Sequence, residues 1–286
     1  MTAAKWRKIR KKIRHGSSYF LLSIIGIIFI YPLLFMFSAS FKSNAEIMGS
    51  MNLIPSRISF ENYIAGWKSA GQYTFGHYIK NTLLITIPVV ALTILSSSVV
   101  GYGFARFRFK GHKLLFGAML STMMLPNAVV IVPRYILFNK FGWLNTYIPF
   151  YAPAMLACSS FFIFSMVQFI RGIPRSLDDA AFVDGCSTLG IFIRIILPLS
   201  KPCLTSMAVF QFIWSWNDYF NPLIFINSVS KYNVMQGLKL GMDATSGIVW
   251  GPIMAMSTIS IIPCVIIFFC SQKYFAEGIA TSGIKG

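Results

Sequence analysis

Three carboxylates, Asp178, Asp179 and Asp184, fall within seven positions of a chain that has 8 acidic residues against 25 basic ones. Such clustering marks a place that needs both negative charge and defined backbone geometry. The chemistry this spacing supports is electrostatic: capping, and docking against another surface. Ser176 followed by Asp179 has the S-x-x-D spacing of a capping box, in which each side chain satisfies an orphan N–H at a helix start. Asp178 and Asp179 then occupy the first turn, where the helix dipole favours negative charge. Leu177, Ala180, Ala181 and Asp184 follow at i, i+3, i+4 and i+7 and line one side of a short helix. The two alanines keep that side narrow, so another surface can approach closely. Gly185 ends the helix, taking a positive φ at little cost. Ser187 or Thr188 caps a second helix that runs through Phe192, Ile195 and Ile196 to Pro198 and Pro202. On this grammar alone, the stretch is equally a capped surface loop between two membrane helices.

Other chemistry is missing. There is no G-x-x-x-x-G-K-[ST] loop, so the chain is not expected to bind ATP by itself. His15, His77 and His112 are isolated, and no H-E-x-x-H pattern occurs. Cys158, Cys186, Cys203, Cys264 and Cys270 form no C-x-x-C pair, which points to small apolar packing residues and not to a disulfide framework or a zinc site. No catalytic residue and no metal ligand is expected. No span carries the row of carboxylates that a proton-coupled carrier would use. Any transport energy must therefore come from a partner.

The elements that carry the acidic stretch are membrane spans. Of 286 residues, 56% are hydrophobic and 12% charged, more apolar surface than a soluble domain of this size can bury. The formal net charge is +17. Basic residues flanking spans explain it, and no basic patch interleaved with aromatics suggests nucleic acid.

Residues 1–16 carry Lys5, Arg7, Lys8, Arg10, Lys11, Lys12 and Arg14, and an apolar run follows from about Ser18 to Ser40. It resembles a signal peptide, with Ser38-Ala39-Ser40 as a possible cleavage site. It is too long for a signal core and long enough to span, so it is read as an uncleaved first span with a cytoplasmic N-terminus. A polar outer loop is expected over 41–77 and a second span over 78–105, whose small residues allow close helix packing. Arg106, Arg108, Lys110 and Lys113 crowd a short loop that the positive-inside rule places in the cytoplasm. A third span over 114–138 contains Pro126 and Pro133, which should kink or unwind it. Arg134, near its outer end, reads as an interfacial snorkelling residue, with a pathway role as the alternative. The fourth span covers 147–170, and Arg171 and Arg175 return the chain to the cytoplasm, which puts the acidic loop inside. The fifth span runs from Phe192 to Trp216. Residues 223–250 read as the last outer loop, and the sixth span covers 251–270 before a cytoplasmic tail. The fold class is an all-α polytopic membrane protein with six spans and both termini cytoplasmic. A basic N-terminus occupies 1–17 and a single transmembrane domain 18–275, with its cytoplasmic loop at 171–191. The tail is 276–286.

Several stretches resemble one family. Asp179-Ala180-Ala181, Asp184-Gly185, Phe192, Pro198 and Pro202 fall at the spacings of the EAA loop of binding-protein-dependent ABC importers. Asp179 stands where Glu is usual and Cys186 where Ala is usual; the first keeps the charge but shortens the reach. The segment Trp214-Ser215-Trp216-Asn217-Asp218-Tyr219 is similar to the corresponding part of carbohydrate permeases. The ending, with Tyr274, Gly278, Lys285 and Gly286, is similar to that of maltose-type permeases. The resemblance covers most of the chain and is nearest to the MalG-type subunits of carbohydrate uptake systems.

The resemblance implies a multi-pass permease subunit of the bacterial inner membrane that is not itself an enzyme. The acidic loop becomes a coupling helix docking into an ATPase subunit, with Asp179, Ala180, Ala181, Asp184, Gly185, Phe192 and Pro198 as its key positions. The implied partners are a second permease chain, two ATPase subunits that hold ATP and Mg, and an extracytoplasmic solute-binding protein, all in membrane lipid. Trp214, Trp216, Asn217, Asp218 and Tyr219 become candidate pathway residues, because sugars stack on aromatic faces. An aromatic belt at a span end accounts for the same residues. The alternatives are an ABC permease for a peptide, amino acid or polyol, and a membrane-embedded enzyme or assembly factor. Asp184-Gly185 begins the D-G-x-x-A-R signature of membrane phospholipid synthases, but the Ala-Arg and later aspartates are absent.

Overall fold

A computed structural model of the chain describes residues 3–68, 72–242 and 248–283, with side chains from His15 to Gln272 within them. The basic side chains of 5–14, the stretch Asp243 to Gly247, and Lys285 and Gly286 lie outside the described residues, as does the side chain of Tyr274. All regular elements described are helical. Four segments are long and apolar enough to cross a membrane: 15–39, Phe75–Arg106 (α4), 148–172, and 250–272. Two more qualify as bent pairs. The six spans read from the sequence are reached when each bent pair counts as one.

The bends fall where prolines remove backbone donors. The third span breaks between α5 (His112–Thr122) and α6 (Asn127–Lys140), which meet at 103°. Pro126 stands at the N-cap of α6 in an extended conformation and cannot donate to Thr122. Pro133 lies within α6 and does not interrupt it. The fifth span begins as α10 (Thr188–Ile191), passes through a π turn at Phe192–Ile196 into α11 (Leu197–Leu199), and turns by 74° into α12 (Lys201–Trp216). Pro198 has no N–H to continue an α-helical ladder, and the N–H of Leu197 reaches back to Phe192 instead. Pro202 likewise withholds the N–H that the Pro198 carbonyl would accept. The fourth span is also discontinuous, with α7 (Ile148–Met155) and α8 (Ser160–Gly172) joined through Ala157 at a φ of 55°.

The chain forms two compact units. The first comprises residues 1–71 and 238–260. It contains α1 (Ala3–Ala39), whose most apolar window is unburied within the chain. The expected polar loop after it holds two short helices, α2 (Asn44–Gly49) and α3 (Glu61–Lys68). Asn62 donates to the carbonyls of Ser40 and Lys42 at 3.0 and 2.8 Å, and the Asn44 side chain accepts from the N–H of Trp250 at 2.8 Å.

The second unit comprises 72–237 and 261–286 and is built around α4. The small-residue stretch of α4 packs closely, as its composition suggests. A Cβ on Gly101 would lie 2.8 Å from Met166 Cβ on α8. Tyr102, Phe162, Met166, Ile170, Ile196 and Met207 form the core there.

In the expected outer loop at 223–250, the described residues up to Met242 are largely helical. It contains α13 (Phe220–Phe225), a 3-10 turn at Val229–Lys231 and α14 (Val234–Met242). A reciprocal cap accounts for α14: the N–H of Asn233 donates to the Gln236 side chain at 3.2 Å, and the N–H of Gln236 to the Asn233 side chain at 3.0 Å. The segment is tied to α4, where Asn81 donates to the carbonyls of Ser230 and Tyr232, both at 2.9 Å. The last long helix, α15 (Trp250–Gly283), continues into the region assigned to the tail.

Candidate functional site

The acidic stretch folds as a helix, a left-handed turn and a second helix. The first helix is α9 (Ser176–Val183). Its start differs from the expected capping box. The N–H groups of Asp178 and Asp179 bond to the carbonyl of Arg175, at 2.9 and 3.0 Å, so Arg175 holds the cap position and Ser176 is already helical. No side chain caps this end.

Asp178 is used elsewhere. Its Oδ2 lies 2.6 Å from Nε of Arg106, the last residue of α4, and the two side chains are 18% and 6% exposed. Arg106 Nη2 also donates to the Ile173 carbonyl at 3.0 Å. This is the one side-chain ion pair among the described residues. Ala181 is the buried residue of α9, set in the core beside Phe192 and Ile170. Ala180 is exposed, so the two alanines divide between core and surface. The carboxylates of Asp179 and Asp184 are exposed, and Phe182, Val183 and Leu189 expose 71%, 85% and 65% of their surface.

Gly185 has a φ of 82°. Its N–H bonds to the Phe182 carbonyl at 3.0 Å, and that of Cys186 to Ala181 at 2.9 Å, the paired bonds of a Schellman C-cap. Of the two candidate caps for the next helix, Ser187 serves: its Oγ accepts from the N–H of Gly190 at 3.1 Å. Phe192 is buried against Tyr102, with ring centroids 4.9 Å apart. Pro198 is exposed beside the bend of the fifth span.

A second set of residues converges where the broken third and fourth spans meet. A cavity of about 570 Å³ is lined by Asn127 and Arg134 of α6, Ser160 and Phe161 of α8, and Gln211 and Trp214 of α12, among others. Thr122 Oγ1 and Ser160 Oγ, 2.6 Å apart, join the two breaks. Arg134 donates to Asn127 Oδ1 at 3.3 Å, so it faces this cavity. A neighbouring cavity of about 450 Å³ shares Gln211 and Trp214 and adds Asn217, Asp218 and Asn221. Trp214 is half exposed and packs on Phe161 and Phe162 at 5.3 and 5.2 Å.

The other aromatic candidates are placed differently. Trp216 is 1% exposed and stacks on Phe212 at 5.4 Å. Successive helical positions diverge by about 100°, which sends Trp214 and Trp216 to opposite sides of α12. Tyr219 precedes α13 and does not line either cavity. The Asp218 carboxylate accepts from the Asn221 N–H at 3.1 Å and from Asn221 Nδ2 at 2.8 Å. Burial pushes the Asp218 carboxyl above its usual value, against those bonds and the charge of Arg134.

Residues 97–281 match the family described as Binding-protein-dependent transport system inner membrane component. The chain belongs to this family. It is a permease subunit of a binding-protein-dependent ABC importer, held in the inner membrane. The permease is 35% identical over 267 residues to the arabinooligosaccharides transport system permease protein AraQ of Halalkalibacterium halodurans, covering 92% of this chain and 94% of that one. It is 31% identical over 263 residues to the trehalose/maltose transport system permease protein MalG of Thermococcus litoralis, with the same coverage. Its fold is similar to a chain in the crystal structure of a bacterial ABC transporter involved in the import of the acidic polysaccharide alginate. The TM-score is 0.82 at 23% identity, over 93% of the permease and 98% of that chain.

The cavity residues of the permease were only partly legible beforehand. Pro126 signals a break, and a broken span commonly lines a transport path. Asn127, Ser159, Ser160 and Gln211 carry no such signal, because their convergence depends on which spans are neighbours.

Proposed function

We propose that this permease forms half of the pathway of an ATP-driven importer for a sugar or oligosaccharide. It has six spans and both termini in the cytoplasm. The observation that carries the coupling role is the contact of Asp178 with Arg106, which ties α9 to the end of α4 while α8 and α10 lead from it into the fourth and fifth spans. A connector fixed at both sides transmits displacement without absorbing it. The exposed face of Asp179, Asp184, Phe182 and Val183 is what docks in a cleft of an ATPase subunit. Ala180 lets that surface come close, and Ala181 and Phe192 root the loop in the core. Gly185 shapes the turn, and Pro198 marks where the fifth span hinges.

The assembly contains a second permease chain, two ATPase subunits holding ATP and Mg, and an extracytoplasmic binding protein. When ATP closes the ATPase dimer, α9 moves, the fourth and fifth spans tilt, and the pathway opens outward to accept solute. The sugar reading rests on Trp214, whose exposed ring borders a cavity with Gln211 and Asn127: a face for stacking beside groups that bond hydroxyls. It agrees with relatives named for arabinooligosaccharides and for trehalose and maltose. Asn217 and Asp218 line the adjoining cavity.

The test is to tag the chain, solubilise it gently, identify what co-purifies, and screen the associated binding protein against sugars. An ATPase and a second permease, with sugar-dependent stimulation of hydrolysis, are expected. Purification of the chain alone, even after cross-linking at Cys186, would reject the coupling role. Stimulation by peptides or amino acids instead of sugars would reject only the substrate.

A further inference from the structure

A separate cavity lies at the opposite end of α4 from the helix start, and transport does not account for it. It has a volume of about 570 Å³ and is bounded by the end of α4, the start of α5 and the end of α8. Arg106, Arg108, His112, Arg171 and Arg175 line it, and no carboxylate does. Arg106 is balanced by Asp178. The other basic side chains have only neutral partners. Arg175 Nη2 reaches the Ala105 carbonyl at 3.5 Å, and His112 Nε2 lies 3.0 Å from the Phe104 carbonyl. The Arg171 guanidinium lies 5.1 Å from the centre of the Phe116 ring. Arg108 makes no hydrogen bond or ion pair among the described residues. Three guanidinium groups thus line one space that no carboxylate lines; Arg175 also borders the adjoining cavity of Asp178 and Asp179, which leaves Arg108 and Arg171 with no acidic group beside them in either cavity.

The position of the cavity narrows the ligand. Arg106 and Gly172 end two membrane-length apolar segments, and His112 begins a bent pair of helices that qualify only together. The cavity is therefore at the depth where hydrocarbon gives way to headgroups. Phe107, in its wall, and the adjacent Phe109 expose 44% and 43% of their surface, which suits an interface that is apolar on one side. Orientation of spans needs basic residues somewhere in a short loop. It does not require groups 63 residues or more apart, Arg108 against Arg171 and Arg175, to converge on one space. Guanidinium groups match phosphate oxygens in bidentate geometry, and basic pockets between helix ends bind acidic headgroups.

We propose that this cavity binds the phosphodiester headgroup of an anionic phospholipid, held by Arg108, Arg171 and Arg175. The site needs the loop at a membrane surface and does not depend on the sugar reading. Because Arg106 lines the same cavity and pairs with Asp178, a bound headgroup adds a wall to the socket that holds α9.

The test uses the intact transporter complex, delipidated and then titrated with phosphatidylglycerol or phosphatidylcholine under native mass spectrometry. Wild type is expected to retain phosphatidylglycerol in preference to phosphatidylcholine. R108Q/R171Q should weaken that binding by roughly 30-fold, from two lost surface charges. R108K/R171K, which keeps the charges but not the bidentate fork, should bind more tightly than R108Q/R171Q and less tightly than wild type, and shows that the complex still assembles. Unchanged phosphatidylglycerol binding in R108Q/R171Q overturns the proposal. So does full displacement of the lipid by millimolar inorganic phosphate, which would make this a free-phosphate site. Loss of the ATPase subunit from R108Q/R171Q with lipid binding intact would instead assign the cluster to a protein contact.

Discussion

Asp178 and Arg106 meet at 2.6 Å with little exposure, so a residue of the acidic loop is ion-paired with the last residue of a span that is 72 residues earlier in the chain. Removing one member leaves the other largely buried charge without a counter-charge, which costs on the order of 3 kcal/mol. Asp178→Asn and Arg106→Gln should each lower sugar uptake strongly in reconstituted vesicles while ATP hydrolysis continues, because the connector slackens. Equal loss of uptake and hydrolysis would instead indicate that the complex had come apart.

Gly185 holds its left-handed φ with open space around it, so the constraint is backbone conformation and not crowding. Gly185→Val should cost about 2 kcal/mol locally and abolish transport, with membrane insertion intact. Gly185→Asn, which tolerates that conformation, should keep most of the uptake. Equal uptake by wild type and Gly185→Val would count strongly against the coupling role of this turn.

Trp214 and Trp216 separate a solute contact from a core contact. Trp214→Ala should raise the KM for uptake with basal ATP hydrolysis unchanged. Trp216→Ala empties a core position and should lower the Tm of the purified complex, at a cost of about 3–5 kcal/mol. The reverse pattern would place solute on the other side of α12.

Gly101 is a close-approach site. Gly101→Ala brings a Cβ to 2.8 Å from Met166 Cβ, and overpacking of this kind costs about 1–3 kcal/mol. The Tm of the complex should fall, and Met166→Ala in the same chain should recover part of it. Simple addition of the two losses would show that the helices separate there on their own.

Asp218 has a carboxyl pushed up by burial from its ordinary 3.8. A raised acid binds its proton more tightly in the folded state. Its contribution to stability is therefore full below pH 3.8 and declines as the pH rises through the folded value. The Tm of wild type relative to Asp218→Asn should fall between about pH 4 and the folded value, then level off. A Tm difference that rises with pH over the same range would mean that the bonds from Asn221 outweigh burial.

Local patterns in the sequence were enough for the membrane class, the order of the spans, the acidic helix ended by Gly185, a cap at Ser187 or Thr188 and the break at Pro126. Each follows from residues within a turn or two of one another: apolar run length, a missing proline N–H, or a glycine that accepts a positive φ. The same locality explains what was misread. Ser176-x-x-Asp179 has the spacing of a cap, yet Asp178 pairs with Arg106 of α4 and the helix already begins at Ser176, with Arg175 in the cap position. Within the stretch read as an outer loop, residues 234–242 are helical because Asn233 and Gln236 cap each other and Asn81 receives the chain. Trp214 and Trp216 look alike in sequence, and only the neighbours of α12 decide which one meets the cavity and which one meets the core. Arg134 and Arg108 were two more basic residues at span ends until the packing turned one toward Asn127 and set the other facing Arg171 across a cavity. Spans form from their own backbone bonds and burial in lipid, so their existence is written locally; their contacts depend on which helices become neighbours, and that is a property of the whole assembly of spans.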